Sequence, residues 1–169
     1  MAGRSLAGEE KGGRMTATPK RIGLIAPVAA LALAASGVGL AAGGGTVRLS
    51  AKMDAHQVVP KAPKGDVAHA SGGFVGTLVE DGTKWELKWR VTYSRLDNPK
   101  IVIADIHYGK SGKFGPLLVR LCGPCRSGQH GVKKVKTIYV PLIKSGNSFI
   151  TLITGKNPNG EVRGQIKVG

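Results

Sequence analysis

The sequence predicts an all-β protein: an antiparallel, immunoglobulin-like β-sandwich or barrel of about eight strands, preceded by an amino-terminal hydrophobic targeting helix. The clearest observation is the strict alternation of polar and apolar side chains over residues 84–93, which is typical of a strand with one buried face. The 26 glycines follow no three-residue period, so they indicate tight turns rather than collagen. Many short strands with such turns favour two packed sheets.

The other strands are predicted from shorter apolar or β-branched runs bounded by turn residues such as Asp81-Gly82. These runs cover residues 47–53, 74–80, 101–108, 116–121, 149–154 and 162–168. In the clearest strand, Trp85 and Trp89 share the apolar face and are expected to point into the core. The run 135–143 stays ambiguous, because its β-branched residues indicate a strand while Pro141 restricts it to an edge.

Composition limits the function. Hydrophobic residues make up 41 % and charged residues 21 % of the 169-residue chain, which excludes disorder throughout. The 25 basic residues against 10 acidic ones give a formal charge of +15, so anionic partners are expected. Aromatic residues are only 5 % of the chain. Stacking platforms for single-stranded nucleic acid are therefore not evident, and nucleic acid is not an expected partner.

The amino-terminal region divides into a basic segment (1–21), an uncharged apolar run (22–42) and a glycine-rich linker (43–46), followed by the β domain (47–169). The apolar run after Lys20-Arg21 has the pattern of a secretory signal peptide. It is also long enough to be a membrane anchor. Both alternatives predict a chain that is secreted or anchored on the outer side of the cytoplasmic membrane, with membrane contact only through this segment. Whether translation starts at Met1 or Met15 stays open.

Cys122 and Cys125 form a Cys-Gly-Pro-Cys sequence, which is the redox motif of thioredoxin-like proteins. There, a helix that follows the motif lowers the thiol pKa, whereas residues 126–131 are typical of a loop. For an exported protein a structural disulfide is the favoured interpretation. A thiol-disulfide oxidoreductase is one alternative, and metal ligation with His130 is another.

Asp105 and His107 lie two residues apart in a predicted strand and therefore project from one face. A carboxylate beside an imidazole can bind a metal or form an acid/base pair, with His56, His69 or His130 brought near by folding. The favoured interpretation is a hydrogen-bonded surface pair at the end of a strand.

The remaining charged residues have ordinary interpretations. Glu161 and Arg163 share one face of the last predicted strand. They are expected to form an exposed salt bridge worth under about 1 kcal/mol. The densest basic cluster, Lys133-Lys134-Val135-Lys136, is short and lacks aromatic residues. The charge is therefore interpreted as a solvated basic surface, and the expected partners are anionic envelope polymers, lipid head groups or an acidic protein.

From about Leu49 to Val168 the chain resembles the CHRD domain, a family first recognised in chordin and found in exported bacterial proteins. The resemblance rests on 49–52, 57–60, 72–74, Trp85, Trp89, 104–109, 115–116, 121–125 and, most specifically, 157–166. It implies an all-β exported domain without established enzymatic activity, and a short helix within 135–144. It also implies that the paired cysteines are structural, as are Pro60, Gly109, Gly115, Pro116, Asn157, Pro158, Gly160, Glu161, Arg163, Gly164 and Gln165.

Family members often carry a second histidine where this chain has Asp105, a histidine at Ile153 and an acid at Val58. Such a set resembles a ligand cluster, which this chain reduces to Asp105 and His107. The function expected is therefore an exported, non-catalytic binding or adhesion module at the cell envelope with no cofactor. The alternatives are a metal-binding β-sandwich and a thiol-disulfide oxidoreductase.

Overall fold

The computed structural model describes residues 45–97, 99 and 102–169, so the predicted segments 1–21 and 22–42 and the first half of the linker lie outside the described residues. The described residues form nine strands. They are β1 (Thr46–Asp54), β2 (Ser71–Asp81), β3 (Lys84–Ser94), β4 (Val102–Tyr108), β5 (Leu117–Cys122), β6 (His130–Val135), β7 (Ser148–Thr154), β8 (Val162–Gln165) and β9 (Lys167–Val168). A 3-10 turn, Ala55–Gln57, follows β1, and the 3-10 turn Thr137–Tyr139 leads into helix α1 (Val140–Lys144).

The strands form one antiparallel sheet in the order β5-β4-β7-β8-β1-β2-β3-β6, with β9 paired to β1. The sheet curls into a nearly closed barrel in which β5 and β6 are the two edge strands. This confirms the predicted all-β class. Among the described residues, no helix is both long and apolar enough to cross a bilayer.

The core fills the interior of this barrel because each strand directs alternate side chains inward. On β3 the buried side chains are Trp85, Leu87, Trp89 and Val91. The prediction that both tryptophans face the core is confirmed. They pack with β1 and β2 residues such as Leu49 and Phe74 in one hydrophobic cluster.

Helix α1 closes one end of the barrel. Val140 and Ile143 point into the core, and Pro141 lies in the first turn, where the missing N–H is tolerated. The helix implied by the family resemblance is therefore confirmed. The strand interpretation of 135–143 is wrong beyond Val135, which ends β6.

Two strand assignments needed the tertiary structure. Strand β6 was not predicted because it is an edge strand with one buried residue, Val135, and its other side chains are mostly exposed. It forms by pairing with β3, where Gly131 lies against the ring of Trp89. The predicted strand 162–168 is two short strands, β8 and β9, which pair with β1 at Asp54 and at Leu49–Ser50.

Candidate functional site

The barrel wall formed by β5, β4, β7 and β8 carries polar side chains on its outer face, and the loop 109–116 covers part of them. Ala104 and Ile106 of β4 enter the core. Asp105 and His107 alternate with them and project from the opposite face, as predicted, yet both are buried.

Asp105 is fully engaged by a cation. Its two carboxylate oxygens accept hydrogen bonds of 3.0 Å from Nε and Nη2 of Arg120 on β5. The hydrogen bond to Asp105 raises the pKa of Arg120 above its usual value. The favoured interpretation of Asp105 and His107 as a hydrogen-bonded surface pair is wrong, because Asp105 is buried and pairs with Arg120 instead.

His107 is a packing and loop-binding residue. Its Nδ1 lies 3.0 Å from the carbonyl oxygen of Gly115, and since a carbonyl only accepts, Nδ1 carries the hydrogen. The imidazole stacks on the Phe149 ring at 5.2 Å between centroids and 9° between planes. The ring is thereby fixed beneath the loop.

Arg163 approaches the same aromatic ring from β8. Its guanidinium carbon lies 3.5 Å from the Phe149 centroid, and Nη2 donates to the carbonyls of Lys110 (3.1 Å) and Lys113 (2.7 Å). The residue is 3 % exposed, and desolvation lowers the pKa of Arg163. The prediction of an exposed Glu161–Arg163 salt bridge is wrong, because the loop covers Arg163 and supplies its hydrogen-bond acceptors.

Gln165 completes the attachment of the loop. Its amide nitrogen donates to the carbonyls of Gly109 (3.0 Å) and Gly146 (3.1 Å). The carbonyl of Pro116, at the far end of the loop, accepts from Tyr108 N–H at 3.0 Å. His107, Arg163 and Gln165 therefore hold the backbone of 109–116 against the barrel.

Glu161 holds the loops at the opposite end of the barrel. Its buried carboxylate accepts hydrogen bonds from the N–H of Asp97 (2.5 Å), the hydroxyl of Thr154 (2.8 Å) and the amide of Asn157 (3.2 Å). Asn157 also bonds to both backbone groups of Lys64. The segment before Lys64 contains Pro60, which follows a cis peptide bond. The Asn157–Glu161 motif therefore ties three loops together.

Two glycines of the family motif 157–166 are required by space. Gly160 has φ +114°, and a Cβ there would lie 2.3 Å from the hydroxyl oxygen of Thr151. A Cβ on Gly164 would lie 2.3 Å from the carbonyl oxygen of Lys52 on the adjacent strand. These close approaches explain why the motif needs residues without side chains.

The described residues do not support a metal centre. They contain no group of three or more His, Cys, Asp or Glu side chains able to hold an ion. Asp105 is neutralised by Arg120, and folding does not bring His56, His69 or His130 into a ligand group with His107.

At the other family positions, Val58 is buried against Gly160 and Ile153 pairs with Ile103.

Cys122 and Cys125 form a disulfide, with the two Sγ atoms 2.14 Å apart. Both residues are buried. Cys125 N–H donates to the carbonyl of Val102, and the Tyr93 hydroxyl donates to the carbonyl of Cys125. A turn and then β6 follow, so no helix begins at Cys125. A buried pair without a following helix lacks the environment that activates a redox thiol.

The other half of the barrel wall, β1, β2 and β3 with β6, has an open outer face. A groove of about 650 Å³ runs across it. Its lining residues are Ser50, Ala51, Lys52, Gln57, Gly73, Phe74, Val75, Arg90, Thr92, Gln165 and Lys167. Three of these described residues are cationic and none is acidic, so the groove is suited to an anion.

The charge distribution around the barrel is uneven. No acidic residue occurs between Ile106 and Gly160, although nine lysines and arginines do. Sequence reasoning missed both this long acid-free stretch and the groove. The groove had a visible signal, since Lys52 and Arg90 occupy the polar positions of alternating strands.

These observations define a class: a β-barrel domain whose motif residues are structural and whose open face is basic. A family model for the CHRD domain matches residues 49–166. The chain belongs to the CHRD domain family. No curated protein and no solved structure matches the chain.

Proposed function

We propose that this protein is an exported, non-catalytic binding module of the cell envelope that holds an extended anionic polymer in the groove of its open face. The observation that carries the proposal is the placement of Lys52, Arg90 and Lys167 around one concave surface whose described lining contains no acid. The polymer is a wall component rich in phosphate or carboxylate groups, and the domain is secreted or held at the outer side of the membrane.

The strand register supports a ligand with several charges. Lys167, Ser50, Val75 and Arg90 form one row across four neighbouring strands. Strands lie about 4.8 Å apart, so the two cations at the ends of this row are separated by roughly 14 Å. Lys52 lies in the next row, beside Gly73 and Thr92. A small anion reaches one or two of these cations, whereas a polyanion bridges all three.

The interaction is expected to be electrostatic and therefore weak and salt-sensitive. All three side chains are exposed, and exposed charges are screened over about 8 Å at physiological ionic strength. Such a site suits an abundant repetitive polymer, because many weak contacts along one chain raise the overall affinity.

The test measures binding of the full chain to poly(glycerol phosphate) by calorimetry at low salt. The triple variant Lys52→Gln, Arg90→Gln, Lys167→Gln is expected to bind at least tenfold more weakly, since each exposed contact contributes up to about 1 kcal/mol. The matched control is Lys110→Gln, Lys113→Gln, Arg126→Gln, which removes the same charge outside the groove and is expected to retain most of the affinity.

Equal weakening by both triple variants would show attraction to net charge and would contradict a groove site. Affinity that does not fall between low and high salt would contradict the electrostatic mechanism.

A further inference from the structure

Exposed apolar side chains occur at one end of the barrel. Phe114 is 59 % exposed, Leu117 44 % and Ile138 71 %. Phe114 lies in the loop after β4, Leu117 is the first residue of β5, and Ile138 lies in the 3-10 turn before α1. We name this surface, formed by loop 109–116, Leu117 and segment 136–147, the apolar end.

The topology places both segments at the same end. The loop leaves β4 after Tyr108, which pairs with Ser148 at the start of β7. Segment 136–147 leads directly into Ser148, and Gly109 N–H donates to the carbonyl of Asn147 at 2.7 Å. The loop and segment 136–147 are therefore attached at the same end of the barrel, where β4 ends and β7 begins.

Buried residues hold these segments in place. Arg163, Gln165 and His107 bind the backbone of the loop, and Val140 and Ile143 fix α1 in the core. The exposed apolar side chains therefore stand on ordered backbone, which lowers the entropy lost when they bind a surface.

The polar residues of the apolar end are cationic. Lys110, Lys113, Lys136 and Lys144 are exposed, and both segments lie inside the acid-free stretch 106–160. Apolar and aromatic side chains surrounded by lysines are the composition that binds the interface of anionic membranes.

The chain also enters the domain at this end. Thr46, the first residue of β1, pairs with Val79, next to the β2–β3 turn. In the same part of the sheet, Trp85 pairs with Val135, from which segment 136–147 departs. In the sequence, the apolar run 22–42 and three glycines come directly before Thr46.

From these observations we propose that the apolar end docks on an anionic lipid bilayer. Phe114, Leu117 and Ile138 enter the interfacial region, and the neighbouring lysines contact phosphate head groups. The groove lies on the side of the barrel, so docking leaves it open to a polymer. This inference is independent of the groove's function.

The test locates the docked end with an environment-sensitive fluorophore. The full chain is labelled through Ser111→Cys at the apolar end or Asn159→Cys at the opposite end, since Cys122 and Cys125 are paired and buried. It is mixed with phosphatidylcholine vesicles, with or without an equal share of phosphatidylglycerol, at about 0.15 M ionic strength. Only the label at 111, on the anionic vesicles, is expected to shift to the blue.

Substitutions at the apolar end distinguish docking of this surface from membrane attachment through the amino-terminal segment. Lys110→Glu with Lys113→Glu is expected to weaken docking at least tenfold, since each cation near an anionic surface contributes roughly fivefold. Lys61→Glu with Lys64→Glu makes the same charge change at the opposite end and is expected to leave the shift intact. Phe114→Ser with Ile138→Ser is expected to reduce the shift, whereas Val75→Ser, an exposed valine on the groove face, is not.

A fluorophore at 111 that stays in water while the chain is bound to vesicles would overturn the proposal, and so would equal shifts at 111 and 159. Equal shifts on neutral and anionic vesicles would exclude the role of the lysines. Because the groove is tested with a soluble polymer, failure of either proposal is distinguishable from failure of the other.

Discussion

The two halves of the barrel wall are alike inside and different outside. Strands β4 and β7 of one half and β1 and β3 of the other all send alternate side chains into a common core. On the first half, loop 109–116 covers much of the outer face, so polar residues such as Arg163 are buried. On the second half Arg90 and Lys52 stay in water.

This difference separates two uses of the same residue types. On the covered half, charged and amide side chains bind carbonyls and carboxylates of their own chain. On the open half, similar side chains have no such covering and line a groove. Polar residues such as Glu161 and Arg163 in the family motif are therefore stabilising, and the proposed binding function depends on Lys52, Arg90 and Lys167, which lie outside the motif.

The largest expected difference in the free energy of unfolding is between substitutions of two arginines, one on each half of the wall. Arg163→Met is expected to lower the free energy of unfolding by about 3 kcal/mol, because two carbonyls lose a charged donor beneath the loop. Arg90→Met, on the open half, is expected to change it by less than about 0.5 kcal/mol. Chemical denaturation of both variants measures the difference. Similar losses would show that the loop does not bury Arg163 in solution.

A smaller difference in stability is expected between substitutions of two glutamates. Glu161→Gln is expected to cost about 2 kcal/mol, because the carboxylate accepts three hydrogen bonds and an amide NH₂ would face a donor. Glu86→Gln on β3 of the open half is expected to be nearly neutral. Thermal unfolding of the two variants ranks them. A neutral Glu161→Gln would mean that the loops at this end are held by other contacts.

The smallest effect concerns pH. The hydrogen bond from Lys156 lowers the pKa of Asp97 below its usual 3.8. The pair therefore stabilises the fold above about pH 4, and this stability is lost as the pH falls through the lowered pKa. Asp97→Asn and Lys156→Gln are each expected to be slightly less stable than the native protein at neutral pH and to match it in acid below the lowered pKa. Denaturation across this range measures the gap, and a gap that persists in acid would contradict the sign.

Much of the architecture was predictable from local patterns. The alternation on β3 identified its buried face, and the loop-like residues after Cys-Gly-Pro-Cys favoured a structural disulfide; the structure has the bond, buried and followed by a turn and β6 rather than a helix. The Asn157–Gln165 motif was correctly recognised as a family feature. Its exposure was misjudged, since Glu161 and Arg163 were expected on the surface. The covering loop lies some 50 residues away in sequence, so no local pattern reveals it.

By itself, the sequence determined which side of each clear strand enters the core, because alternation in a strand obliges apolar side chains to share a face. It also determined the excess of positive charge. Only the tertiary structure decided which outward residues reach water, because that depends on loops arriving from distant parts of the chain. Because loop 109–116 covers His107 and Arg163, these two residues stabilise the fold. Lys52, Arg90 and Lys167 lie on the half of the wall that this loop does not cover, and they surround an open groove.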